Sequence, residues 1–253
     1  MYRLPQLVKF RNLLHTFSTV EDGNMANSIL GKVTNFNLVL QNRKKFLESI
    51  KIPLNSTICM WAEGKDSVLI ADPKDAGVSI SDYKFAVRTD SLITNQKGLY
   101  LFLLVADCAP IIIYDPINEA VGIVHAGWKG ANMEIVKKAV ESLGDKYKCN
   151  PKNLIVGIGP CARKDSYILE NPSQVNDPKW KGFVTVQDGD RSMYEVDFVG
   201  LCKKQLKDVG VSEKNIYDCG VDTIKDKRFF SHYRDKVKPL NEQGRFACVV
   251  GLV

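Results

Sequence analysis

Cys108 and His125 stand seventeen positions apart, on either side of Asp115-Pro116-Ile117-Asn118-Glu119, a stretch with the composition of a turn. If that turn centres on Ile117, antiparallel partners have residue numbers that sum to about 234, which sets Cys108 across from Ala126 and His125 across from Ala109. Neighbours of this kind hold their Cβ atoms only ~5 Å apart. Two chemistries suit such a pair. The imidazole could activate the thiol as a nucleophile. Alternatively, both side chains could ligate zinc, with a third ligand leaving one open position for water or substrate. A third possibility is a buried thiol beside a buried, hydrogen-bonded histidine, since free cysteine is among the most buried residue types. Asp107 and the scarcity of histidine, three in the chain, favour a functional pair.

The residues after His125 add to the case. Gly127 and Gly130, flanking Trp128 and Lys129, allow a tight turn into a helix whose first amide groups point back at the pair. A helix start beside such a turn can hold phosphate or stabilise developing negative charge. The Walker pattern and the GxGxxG fingerprint are both absent.

The elements that position the pair are read from periodicity. Leu99 to Val105 is almost wholly apolar, and Ile111 to Tyr114 and Ala120 to Val124 are apolar without alternation, which predicts a central hairpin buried on both faces. A helix is predicted from about Ala131 to Leu143, with Ile135, Val136, Ala139, Val140 and Leu143 on one stripe, and others over Asn42 to Ile50 and Asp197 to Val209. Further strands are predicted at Ser56 to Trp61, Ser67 to Ile70, Asn153 to Ile158, Asn215 to Cys219 and Arg245 to Leu252. Asp72 to Asp82 reads as loop, and Asn171 to Asp190 as an irregular surface excursion. No repeat or linker divides the chain. The expected fold class is α+β: one mixed α/β domain over residues 1–253, with a central buried β-hairpin and sheets covered by helices.

The balance of 35 basic against 29 acidic residues tolerates an anionic ligand, but with no long basic run it does not point to nucleic acid. Seven cysteines, odd in number and without a CxxC, argue against a disulfide scaffold and for a reducing compartment. The N-terminal residues mix Arg, Lys and Pro into their apolar positions, unlike a signal peptide, and no run approaches the ~20 apolar residues of a membrane span. A cytoplasmic location without membrane association is the expectation.

Several motifs in order complete the reading. Ala106-Asp107-Cys108-Ala109-Pro110, His125-Ala126-Gly127-Trp128-Lys129-Gly130 and Gly159-Pro160-Cys161 closely resemble the polyphenol oxidase, or laccase-domain, family of purine nucleoside phosphorylases. Asn42-Arg43, Asp90-Ser91-Leu92-Ile93-Thr94, Phe229 to Asp235 and Gly244-Arg245 resemble further segments of that family, so the likeness spans most of the chain. The resemblance implies phosphorolysis of adenosine, inosine or methylthioadenosine, with adenosine deamination as an associated activity. A purine nucleoside would be substrate and phosphate co-substrate. It also implies a His-Cys-His metal site, whose later members carry over to Cys108 and His125. The first histidine falls on Glu63, in Trp61-Ala62-Glu63-Gly64. Glu63, Cys108 and His125 are therefore the expected catalytic group and the expected zinc ligands, with Glu63 alternatively a general base without metal or a solvated turn residue. Asp107, Gly127, Trp128, Lys129, Gly130 and Arg234 are the expected substrate contacts, Lys129 or Arg234 facing phosphate. The multicopper name that also attaches to the family finds no support, because three histidines cannot build such a cluster. A metal-independent Cys-His hydrolase and a non-enzymatic binding protein that kept the fold are the competing readings.

Overall fold

The computed structural model describes residues 1–29, 31–187 and 189–253. Two large sheets lie face to face. The first runs in the order Leu13–Phe17, Phe246–Leu252, Tyr100–Val105, Thr57–Trp61, Val87–Arg88. The second runs Ile216–Asp218, Ile155–Ile158, Ala109–Asp115, Ala120–Ala126, Ser91–Thr94, Val68–Ile70. Both mix parallel and antiparallel pairs, so the chain is a mixed α/β domain with helices interleaved between its strands.

The predicted hairpin occupies the two middle positions of the second sheet, and its strands are almost completely buried. Its lack of alternation has a direct cause. Ile112, Val121 and Ile123 pack inward against Leu101, Leu103 and Val105 of the first sheet. Ile111, Ile113 and Val124 pack outward against the helix Ile135–Tyr147, which presents the predicted stripe from Ile135 to Leu143. The far face of the first sheet is covered by the helix Phe36–Ser49 through Phe46 and Leu47. The result is helix, sheet, sheet, helix, with the hairpin in the middle of the stack.

Several boundaries differ from expectation. The helix predicted at Asn42 begins at Phe36, because the side chain of Asn35 accepts the Leu38 N–H and caps it. The helix predicted from Ala131 is two helices, Trp128–Asn132 and Ile135–Tyr147, separated where Glu134 adopts a left-handed conformation with φ 61°. Val78–Ser81 within the expected loop is a helical turn. The excursion at Asn171 to Asp190 is more ordered than its composition suggests: Val184–Gln187 and the strand starting at Asp190 form a small sheet with Ile168–Glu170. Asp188 of that stretch lies outside the described residues. The strand Leu13–Phe17 was not expected and pairs along the edge with Phe246–Leu252. No helix among the described residues is long and apolar enough to cross a membrane.

Candidate active site

Residues 106–108 carry the chain from the first sheet, at Val105, across to the second, at Ala109. This crossover sets Cys108 at the mouth between the sheets. Asp107 shapes it, taking φ 82°, a left-handed conformation unusual for a residue with a Cβ. Its carboxylate accepts the Thr223 hydroxyl at 2.6 Å and the Tyr233 N–H at 2.6 Å, and its carbonyl accepts the Ala162 N–H at 2.9 Å. Asp107, expected as a substrate contact, thus holds the bend that presents Cys108 through these internal bonds.

On the returning strand, Ala126 pairs with Ala109 and His125 with Pro110. The register differs by one residue from the predicted one, because Asp115 caps the turn by accepting the N–H groups of Ile117 and Asn118 and so centres it between Ile117 and Asn118. His125 and Cys108 still come together, both beside Gly127 and both lining one cavity. The approach of Gly127 is what leaves room for the thiol: a Cβ there would lie 2.8 Å from Cys108 Sγ.

Asp90, fully buried, completes the arrangement. Its Oδ1 accepts from His125 Nδ1 at 2.8 Å and from the Gly64 N–H at 2.9 Å, while Oδ2 accepts the N–H groups of Glu63 and Lys65 at 3.2 and 2.8 Å. Burial would raise this carboxyl, yet these bonds hold it below the usual carboxylate range. Burial likewise favours neutral His125, but the neighbouring Cys108 sulfur and the Asp90 carboxylate prevail and push it up to about 10. Asp90 thus fixes one nitrogen of the imidazole, and Cys108 lies nearby.

The zinc expectation on Glu63, Cys108 and His125 is overturned. Among the described residues no three His, Cys, Asp or Glu side chains come together as a metal-holding group. The cause is the 63–65 turn: its amides wrap Asp90 while the Glu63 side chain swings outward, to Lys65 Nζ at 2.9 Å and Arg88 at 3.1 Å. Those two cations lower the Glu63 carboxyl. His125 in turn spends one ring nitrogen on Asp90. A multicopper centre fits no better, since the third histidine, His15, is buried away from the pair with Nε2 against the backbone of Leu4.

Cys108 and His125 open onto a cavity of about 280 Å³. Trp61 and Tyr83 form an aromatic wall, their ring centroids 6.0 Å apart, with the Arg88 guanidinium 5.8 Å from the Trp61 ring. Asn27, His232 and Arg245 also line the cavity. The expected substrate contacts fare differently. Trp128 and Lys129 lie outside this wall, the Lys129 stem resting on Gly64 and its amine over the Trp128 ring at 5.6 Å. Gly130 seats the short helix, since a Cβ there would lie 3.1 Å from Ile135. Arg234 spends its donors on the carbonyls of Thr223 and Phe229 and on the Asp235 carboxylate. Asp90, His232 and Arg245 were visible only as parts of resembling segments. Asn27 and Tyr83 carried no signal at all.

This geometry can be set beside known proteins. Residues 23–253 match the family described as Multi-copper polyphenol oxidoreductase laccase. Purine nucleoside phosphorylase YlmD of Bacillus subtilis is 28% identical over 218 residues, 85% of this chain and 77% of that protein. A purine nucleoside phosphorylase of Xylella fastidiosa (strain Temecula1 / ATCC 700964) is 30% identical over 169 residues, 63% of this chain and 59% of its own length. The crystal structure of YlmD from Geobacillus stearothermophilus superposes with a TM-score of 0.85 at 25% identity, covering 96% of this chain and 93% of that one. The chain belongs to the multi-copper polyphenol oxidoreductase laccase family, whose members include proteins named purine nucleoside phosphorylase.

Proposed function

We propose that the chain is a purine nucleoside phosphorylase, cleaving adenosine, inosine or methylthioadenosine with phosphate in the cavity between its sheets. The observation that carries this reading is the Asp90–His125–Cys108 group opening onto a cavity lined by aromatic rings and by arginines. Trp61 and Tyr83 offer a surface on which a planar base can lie. A phosphate oxygen forms a bond to the anomeric carbon as the glycosidic bond breaks, its electron pair leaving with the purine. His125, held protonated by Asp90 and Cys108, supplies the proton that neutralises the departing base, and Asp90 fixes the ring that delivers it. Cys108 is the second arm of the relay. Glu63 orders the rim through Lys65 and Arg88, outside the reacting group. The whole of 1–253 is taken as one such domain, working in the cytoplasm on small molecules.

A second reading rests on the same relay. A thiol, an imidazole and a carboxylate in sequence are also the parts of a metal-independent cysteine hydrolase. The two separate in one screen of purified protein against adenosine, inosine and methylthioadenosine, with and without phosphate, following base, ammonia and pentose phosphate. Phosphate-dependent base release supports the phosphorylase. Base release independent of phosphate, or ammonia alone, contradicts it.

A further inference from the structure

The cavity is also lined by two arginines that make no ion pair among the described residues. Arg43 is 1% exposed and faces the cavity, yet its donors go to the carbonyls of Met25 and Ile80 and its guanidinium lies 5.7 Å from the Phe102 ring centroid. Arg245 faces the same cavity and donates to the Gly244 carbonyl. Neither arginine has a carboxylate partner among the described residues. Asp90 is committed to His125 and three amides, and Asp107, hydrogen-bonded to Thr223 and Tyr233, favours the charge on Arg245 only across space, without an ion pair. Burial lowers both arginines, the mark of charge taken from water without full compensation.

Beside them are polar atoms without a partner among the described residues. Asn27 is 2% exposed, and neither its Nδ2 nor its Oδ1 has a hydrogen-bond partner there. His232 Nδ1 is also buried and, among the described residues, unpartnered. Native interiors rarely leave such groups orphaned, and an orphan facing a cavity points to what enters it. Here the complement must be anionic, must accept several hydrogen bonds, and must return one hydroxyl donor to Asn27 Oδ1.

We propose that this wall is a phosphate-group site, with Arg245, His232 and Asn27 as direct ligands and Arg43 adding charge from behind. A guanidinium presents parallel donors that match phosphate oxygens. Asn27 Nδ2 donates to another oxygen, while Oδ1 accepts from a phosphate or ribose hydroxyl. The site moves the phosphate contact away from Lys129 and Arg234, and it rests on the phosphorylase reading only for the placement of the nucleoside beside it. Two sources carry the same chemistry: free phosphate, or the 5′-phosphate of a nucleotide.

Calorimetric titration of the full chain with inorganic phosphate, adenosine and adenosine 5′-monophosphate separates them, with Arg245→Gln and Asn27→Asp as variants. Asn27→Asp preserves shape and sets a negative charge in the wall, so it decides the matter alone if Arg245→Gln does not fold. Inorganic phosphate binding that weakens at least about tenfold in the folded variants assigns the wall to the co-substrate. Adenosine 5′-monophosphate binding at least about tenfold tighter than adenosine, with that advantage lost in the variants and no competition from phosphate, supports the site but removes the phosphorolytic reading. Wild-type protein that binds neither phosphate species, or affinities unchanged in folded variants, overturns the assignment. If phosphate-dependent nucleoside cleavage persists in that last case, the reaction stands and only the wall is misplaced.

Discussion

Asp90→Asn strikes the point on which the relay depends. Each carboxylate oxygen accepts two bonds: Oδ1 from His125 Nδ1 and the Gly64 N–H, Oδ2 from the N–H groups of Glu63 and Lys65. An asparagine replaces one oxygen by an NH₂ group, so in either orientation two donors face a donor. At ~1–3 kcal/mol for each of the two orphaned buried groups, the substitution costs about 2–6 kcal/mol, a large share of the ~5–15 kcal/mol that typically holds a domain. The orientation that spares His125 frees the Glu63 and Lys65 amides, and the 63–65 turn loosens. In both orientations His125 loses its carboxylate charge and falls from about 10 towards its ordinary value. General acid catalysis is worth about 10²–10⁴-fold, and the variant is expected to lose about 10²–10³-fold in kcat, with its alkaline limb moved to lower pH. Urea denaturation and pH–rate profiles with inosine and phosphate read both effects. Turnover within about twofold of wild type, with the alkaline limb unmoved, would refute the relay.

Cys108→Ala is expected to reduce nucleoside turnover at least about 10²-fold while the thermal melt stays cooperative, because Cys108 is part-exposed at the cavity and outside the buried core; unchanged turnover in a steady-state assay removes it from the site. Gly127→Ala introduces a Cβ 2.8 Å from Cys108 Sγ, so the thiol must shift and kcat should fall more than KM rises; steady-state kinetics that match wild type would show that the thiol position is not critical. Glu63→Gln should leave the thermal midpoint close to that of wild type and change kcat little, since the carboxylate sits in a rim pair with Lys65 and Arg88; a collapse in kcat would place it among the reacting groups. Stability should also depend on pH through His125. Its folded value lies above the ordinary 6.5, so its contribution is complete below about 6.5, declines as pH rises through the interval and is gone above about 10. The slope approaches ~1.4 kcal/mol per pH unit. Urea midpoints at pH 6, 8 and 10 test it, and a His125→Gln variant with the same decline would assign the loss elsewhere.

What the sequence revealed, and what it hid, follow from how far each signal reaches. The hairpin was legible because burial on both faces removes alternation from Ala109–Asp115 and Ala120–Ala126, a local pattern. The meeting of Cys108 with His125 followed from counting across one turn, although Asp115 capping two amides displaced the register by one residue. Glu63 shows the limit of motif matching. Its position does reach the site, but through its amide, which binds Asp90, while the side chain points to Lys65 and Arg88. The residue that the resemblance sets in a ligand's place is a rim ion pair in space. Asp90 stood in a resembling segment without a role until the fold brought it to His125 across thirty-five positions. Asn27, 2% exposed and with no side-chain partner among the described residues, had no sequence signature, because an asparagine buried to meet a ligand reads like any loop residue.

Phosphorus NMR of inosine and inorganic phosphate incubated with the wild-type chain and with His125→Gln follows phosphorolysis itself. A pentose 1-phosphate resonance is expected to grow at the expense of inorganic phosphate with the wild type and to be lost or strongly slowed with the variant. A wild-type chain that consumes inosine without consuming phosphate, or a His125→Gln protein that forms the ester at the wild-type rate, would contradict phosphorolysis at this site.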